Sequence, residues 1–198
     1  ATTYIYTLSQ HDALPIYYAE VNGTVTASFL PNDPLYSPYQ WNLDAIGMPA
    51  AWDLSRGSPS TIIAVIDTGV AYENNGSYKL APDLAGTTFV AGYDFVNSDN
   101  HPNDDHGHGT HVTGTLAQTT NNGVGVSGIA FNCSIMPVKV LDSSGSGTFQ
   151  GVADGITWAV DQGANVISMS LGSTTPSSAI EQAVNYAHSM GVTVVAAS

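Results

Sequence analysis

The chain has 198 residues, a hydrophobic fraction of 43% and a formal net charge of −13, set by 16 acidic against three basic side chains. That length fits one domain with a sizeable buried core. The charge argues against nucleic acid and anionic membranes as partners, since both repel an acidic surface. The acids are scattered rather than gathered in a tail, which points to solubility plus local cation sites.

The single cysteine, Cys133, excludes an internal disulfide framework. It stands in an apolar run and is expected to be a buried, inert thiol. No apolar run approaches the ~18 residues of a membrane span. The first residues lack the basic start and apolar core of an export signal, so any such signal is expected outside these residues.

Residues 1–16 fit nothing downstream, and 6–16 resemble translated sequencing adapter, so a non-native or disordered leader is expected there. Loose alternation over 17–28 predicts a strand. Pro31-Asn32-Asp33-Pro34 then fixes an extended or turning path. Residues 41–52 suggest a short helix, stopped by Gly57-Ser58-Pro59-Ser60. Residues 61–66 form a continuous Ile/Val-rich run, the pattern of a strand buried on both faces in a parallel sheet. Residues 72–106 read as a long functional or metal-tied loop.

Regularity then returns. Helices are predicted over 108–118 and 152–160, the second with Val152, Ile156, Ala159 and Val160 on one stripe. Strands are predicted over 134–141, 166–169 and 192–197. A further helix starts at the capping-box pair Ser178 and Glu181, carries Ile180, Ala183, Val184, Ala187 and Met190 on one face, and stops at Gly191. Strands alternating with helices of this length imply βαβ units and a parallel sheet flanked by helices.

Two segments carry chemistry. In Ala64-Val65-Ile66-Asp67-Thr68-Gly69-Val70, an aspartate lies just beyond a buried-type strand, at the carboxyl edge where α/β sites collect. In His108-Gly109-Thr110-His111-Val112-Thr113-Gly114-Thr115, a glycine-flanked histidine opens a helix. A serine nucleophile needs a base to take its proton, and histidine titrates near neutrality. A buried aspartate fixes the imidazole tautomer and stabilises the imidazolium.

Together, in this order, the segments resemble the aspartate and histidine motifs of the subtilisin-like serine peptidases (subtilases), with Thr113 where alanine is commoner. Aspartate before histidine, with serine last, is the order the subtilisins use. The resemblance covers 17–198. It implies an α/β fold in three layers, cut after a strand ending near Ser198, with 17–30 as the end of a pro-domain and 31–198 as the N-terminal part of a catalytic domain. It makes Asp67 the orienting acid and His108 the general base, with His111 structural and His106 a solvent-side or loop residue.

Gly145-Ser146-Gly147 and Ser170-Leu171-Gly172 resemble the two edges between which the family holds an extended peptide by main-chain hydrogen bonds. Phe149 would wall an apolar subsite. Thr120 to Val126 resembles the family's main calcium loop, with carbonyls of Thr120, Val124 and Val126, the side chain of Asn122, and carboxylates of Asp83 and Asp33. A second loop of thermitase-like members would use Asp94, Asp99, Asn103 and the carbonyl of His101, with Asn97 in place of a common carboxylate. Such oxygen sets suit calcium.

The oxyanion asparagine and nucleophile serine of the family are not among these residues. Ser168, Ser170 and Ser198 lack the nucleophile's context, so these 198 residues alone are expected to be inactive. The expectation is therefore the N-terminal part of a secreted, calcium-stabilised, monomeric serine endopeptidase acting on polypeptides, with its own pro-domain as inhibitor or folding aid. A non-catalytic subtilase-fold binding or regulatory module is the alternative. A nucleotide-binding α/β domain fits poorly, because the segment after the first strand supplies only one glycine.

Overall fold

The computed structural model describes residues 21–23 and 28–197. The predicted leader, and the strand expected over 17–28, lie outside these residues apart from 21–23 and 28, which hold no regular element.

Among the described residues, three short helices come first, α1 (Tyr36–Tyr39), α2 (Trp41–Ala45) and α3 (Met48–Leu54). The single helix expected over 41–52 is broken at Gly47, whose φ of 74° lies outside the helical region. Pro49 then sits in the first turn of α3, where its missing N–H costs nothing. Trp52 on α3 is 1% exposed and packs with Tyr36, Leu43, Phe29 and Phe131. Its indole donates to the carbonyl of Ile129 at 2.8 Å.

Six strands among the described residues form one parallel sheet: β1 (Ile62–Asp67), β2 (Thr88–Phe89), β3 (Tyr93–Asp94), β4 (Ser134–Lys139), β5 (Val166–Met169) and β6 (Thr193–Ala196). The order is β2-β4-β1-β5-β6, with β3 also on β4. The central pair β1 and β4 is buried almost throughout, as the continuous apolar run over 61–66 requires. Pro137, which has no N–H to give a ladder, lies opposite neither β2 (paired at 134–135) nor β3 (paired at 138–139). The two short strands, and a turn of 3₁₀ helix at Pro82–Leu84, occupy the stretch expected to be loop.

One face of the sheet is covered by α5 (Phe149–Asp161) and α6 (Ser178–Ser189), the other by α4 (His108–Ala117). The result is the expected three-layer α/β arrangement. The α5 stripe of Val152, Ile156, Ala159 and Val160 is buried as its period demands. Helix α5 starts earlier than expected because Thr148 caps it, accepting from the Gly151 N–H at 3.0 Å. In α6 the capping side chain is Ser177 rather than Ser178. Ala183 and Ala187 are buried, but Met190 follows the helix and is exposed. Gly191, at φ 79°, stops α6 where expected. Cys133 is buried between the sheet and its neighbours. No helix among the described residues is long and apolar enough to cross a membrane.

Candidate active site

Asp67 ends β1 with its side chain 1% exposed, and His108 opens α4 with 43% exposure. The register of a parallel sheet brings its strand ends to one edge, and α4 begins there. The two side chains meet at 2.7 Å, His108 Nδ1 to Asp67 Oδ1. The same oxygen accepts the Thr68 N–H at 2.7 Å, while Asp67 Oδ2 is buried with no hydrogen-bond partner among the described residues. An acceptor so placed is suited to holding a proton on Nδ1, and Nε2 is left for the cavity side.

The contact depends on glycine. A Cβ on Gly109 would run into the Gly69 carbonyl oxygen and the Asp67 side chain. Close approach of α4 to the end of β1 is possible only without one. Gly107 serves differently: its φ is 103°, and a Cβ there would meet nothing.

The start of α4 is held by Asp104, a residue that neither motif singles out. Gly107, at the N-cap, offers no side chain. Asp104 supplies the acceptors instead. Its Oδ1 takes the N–H of His106 (3.0 Å) and Gly107 (2.8 Å) and the hydroxyl of Thr68 (2.9 Å). Its Oδ2 takes the N–H and hydroxyl of Thr110 at 2.9 and 2.5 Å. Thr68 Oγ1 in turn accepts the Gly109 N–H at 2.9 Å. The signal in the sequence is the Asp104-Asp105 pair directly ahead of the histidine motif, since carboxylates satisfy helix N-terminal amides.

Burial alone would raise the Asp104 pKa, but bonds from Gly107, Thr110 and His106 outweigh it and hold the carboxyl below its ordinary 3.8. A depressed folded-state pKa gives stability that is present above the unfolded value and lost as pH falls through the folded one. Asp104→Asn is therefore expected to cost about 1–3 kcal/mol at neutral pH and to flatten the acid limb below about pH 4. Urea unfolding at pH 7 and pH 3 checks this; equal losses at both pH values would remove Asp104 from that role.

The two expected substrate edges converge. Gly145, Ser146, Gly147, Ser170, Leu171 and Gly172 all line a cavity of about 1180 Å³ that also contains His108 and Phe149. Gly145 has φ 74°, and a Cβ on Gly147 would strike the Val140 carbonyl. His106 lies in the loop as expected, yet its ring also lines this cavity beside Gly145 and 6.3 Å from the His108 ring. His111 is exposed on α4.

Asp33, Asp83 and Asn122 are brought together. Asp33, 4% exposed, accepts from Asn121 N, Asn122 N and Ser127 Oγ. Asp83, 7% exposed, accepts from Val126 N, the Asn122 side chain and the Gln118 side chain. Neither carboxylate is among the ion pairs of the described residues. Two buried carboxylates and a carboxamide on one carbonyl-rich loop, Thr120 to Val126, form a donor set a hard cation fits.

In the second loop, Asp94 and Asp99 exchange backbone hydrogen bonds. Asp94 accepts from Val96 N, Asn97 N and the Asn97 side chain, and Asp99 accepts from His101 N. The His101 carbonyl accepts the Asn103 N–H. Asn103 Oδ1 is buried without a partner among the described residues, an acceptor of the kind a cation takes. No cluster of three or more His, Cys, Asp or Glu side chains with metal-holding geometry occurs among the described residues.

A parallel α/β sheet with a buried aspartate and an exposed histidine at its carboxyl edge, facing a long groove, defines the class of α/β proteins with an acid–base pair at the sheet edge. A family model described as the subtilase family matches residues 58–198, and the chain belongs to that family. It is 49% identical over 170 residues to thermitase of Thermoactinomyces vulgaris, covering 86% of this chain and 58% of thermitase. It is 45% identical over 181 residues to a thermophilic serine proteinase of Bacillus sp. (strain AK1), covering 91% of this chain and 43% of that protein. Its fold is similar to a solved protease of Pseudoalteromonas arctica PAMC 21717, with TM-score 0.71 and 32% identity over 84% of this chain and 58% of that one. The chain thus spans about half the length of these relatives.

Proposed function

We propose that the chain is the N-terminal part of a secreted serine endopeptidase that hydrolyses polypeptides through an Asp-His-Ser triad. The observation that carries the reading is the 2.7 Å contact between buried Asp67 and exposed His108 at the mouth of a groove. Asp67 keeps the Nδ1 proton in place, so Nε2 is the nitrogen that accepts the proton of a serine hydroxyl and returns it to the leaving amine. The positive charge that forms on the ring meets a carboxylate with one free, buried oxygen. An extended peptide lies between the edges 145–147 and 170–172 and is held there by its backbone.

Asp33, Asp83, Asn122 and the carbonyls of Thr120, Val124 and Val126 would hold a calcium ion, and Asp94, Asp99, Asn103 and the His101 carbonyl a second. The ion would offset the mutual repulsion of buried carboxylates and fix these loops. The whole enzyme acts as a monomer, with its pro-domain as inhibitor or folding aid.

The test is to express both the full reading frame and these 198 residues, and to assay each on a peptide ester with and without a serine-reactive inhibitor. The full protein is expected to turn over the ester, to be silenced by the inhibitor, to appear in the host's medium, and to unfold at lower temperature after calcium is chelated. The 198 residues alone are expected to be silent, because even one missing oxyanion donor costs about 10²–10³ in rate. Turnover by the fragment would contradict the division of the triad. A full protein that binds extended peptides and never cleaves them would make this a non-catalytic subtilase-fold module.

A further inference from the structure

The chain has only three basic residues, and one of them is wholly buried beside the candidate site. Lys139 ends β4 directly across the sheet from Asp67. Its side chain is 1% exposed. The ammonium donates to the Thr68 carbonyl at 2.6 Å, to Asp105 Oδ1 at 2.6 Å and to the Leu141 carbonyl at 2.9 Å. Those three acceptors match its three protons.

Each acceptor belongs to a different part of the site. Thr68 follows the orienting Asp67 and bonds both Gly109 and Asp104. Asp105 lies in the loop that leads into His108. Leu141 begins the path to the 145–147 edge, and its own N–H is bonded back to the Asp67 carbonyl at 3.2 Å.

A lysine here is a poor choice for stability alone. Desolvating an ammonium is costly, and buried ion pairs are often no better than apolar side chains of similar volume. What an apolar side chain cannot do is gather two carbonyls and a carboxylate from three segments onto one atom. We propose that Lys139 is a positioning residue: its ammonium sets the relation between the Asp67–His108 pair and the 145–147 edge. The inference rests on the reading of Asp67 and His108 as acid and base.

Two variants of the full-length protein, Lys139→Met and Asp105→Asn, test it by nuclear magnetic resonance. Three reporters are followed at constant calcium and at a pH where the imidazole is neutral. They are the exchange with water of the His108 Nδ1 proton, the Gly147 amide, and the Trp52 indole N–H bonded to Ile129 in a separate cluster. Asp105 is partly exposed, so its variant is expected to fold. Asp105→Asn should speed exchange of the His108 proton about tenfold or more and leave Trp52 unmoved. Lys139→Met should do the same and also shift Gly147. If Lys139→Met does not fold, Asp105→Asn alone decides. An Asp105→Asn chain whose His108 proton exchanges at the parent rate, or whose Trp52 signal changes as much as that of His108, overturns the proposal. The readout involves no turnover, so its failure leaves the peptidase reading standing.

Discussion

On the proposed peptidase reading, Asp67→Asn in the full-length protein is expected to lower kcat by about 10⁴, close to 5.5 kcal/mol of barrier, with KM little changed. The size is the order measured for triad aspartates in serine peptidases, subtilisin among them, where the asparagine replacement was traced to the wrong tautomer. The geometry here identifies a different cause. Asp67 Oδ1 accepts from both Thr68 N and His108 Nδ1, while Oδ2 has no partner among the described residues. An asparagine that kept its oxygen at the Oδ1 position would preserve both bonds and the histidine tautomer. The flipped orientation would point NH₂ at the Thr68 N–H, two donors facing each other in a buried place. The first orientation is therefore preferred, and the loss comes from the missing charge opposite the imidazolium rather than from the wrong tautomer. Steady-state kinetics on a peptide substrate, with the His108 Nδ1 proton followed in parallel, checks both halves. A fall in kcat below tenfold would remove Asp67 from the triad. A large fall accompanied by loss of the Nδ1 proton would make the tautomer, and not the charge, the cause.

The sheet and its helices were legible because burial on both faces leaves a pattern in single segments. Ile62–Asp67 and Ser134–Lys139 are apolar at nearly every position, and Val152, Ile156, Ala159 and Val160 repeat at the helical period. Residues 72–106 were not legible, because Thr88–Phe89 and Tyr93–Asp94 are strands only by virtue of pairing with β4, about 45 residues away in sequence. Asp67 and His108 stood out since each is polar where its surroundings are apolar or glycine-rich. Asp104 and Lys139 did not. An aspartate in an acid-rich stretch looks like a solvated loop, and a lysine at a strand end looks like an exposed terminus. Asp104 bonds mostly within its own segment, to His106, Gly107 and Thr110, and only its bond from Thr68 comes from elsewhere. The role of Lys139 comes from Thr68 and Asp105, far away in sequence, which no local pattern announces. The Ser178 capping assignment missed by one residue for a similar reason: adjacent serines are equivalent in sequence, and only Ser177 has the extended backbone of a cap.

The two glycines beside His108 separate steric from conformational demands, and Gly109→Ala is the second large expected effect. Within a helix, alanine is better than glycine by about 1 kcal/mol, so propensity alone predicts a gain. The added Cβ would nevertheless collide with the Gly69 carbonyl and stand 3.1 Å from Asp67 Cβ and 3.2 Å from Asp67 Oδ1. The obstacle is backbone at the end of a central strand, and β1 is tied to both β4 and β5. The helix is the part that moves. Overpacking of this kind costs about 1–3 kcal/mol net. A displacement of α4 by about 1 Å would carry His108 off Asp67 and, on the proposed peptidase reading, lower kcat of the full-length protein by about 10². Gly107→Ala supplies the contrast. Its Cβ meets nothing, so the only penalty is backbone strain at φ 103°, about 1–2 kcal/mol, with the His108–Asp67 contact kept. Unfolding midpoints and kcat measured on both variants decide the matter. Two variants with similar stability loss, of which only Gly109→Ala loses kcat steeply, are the expected result. Equal kcat in the two would mean that α4 does not depend on close approach to β1 to hold its histidine in place.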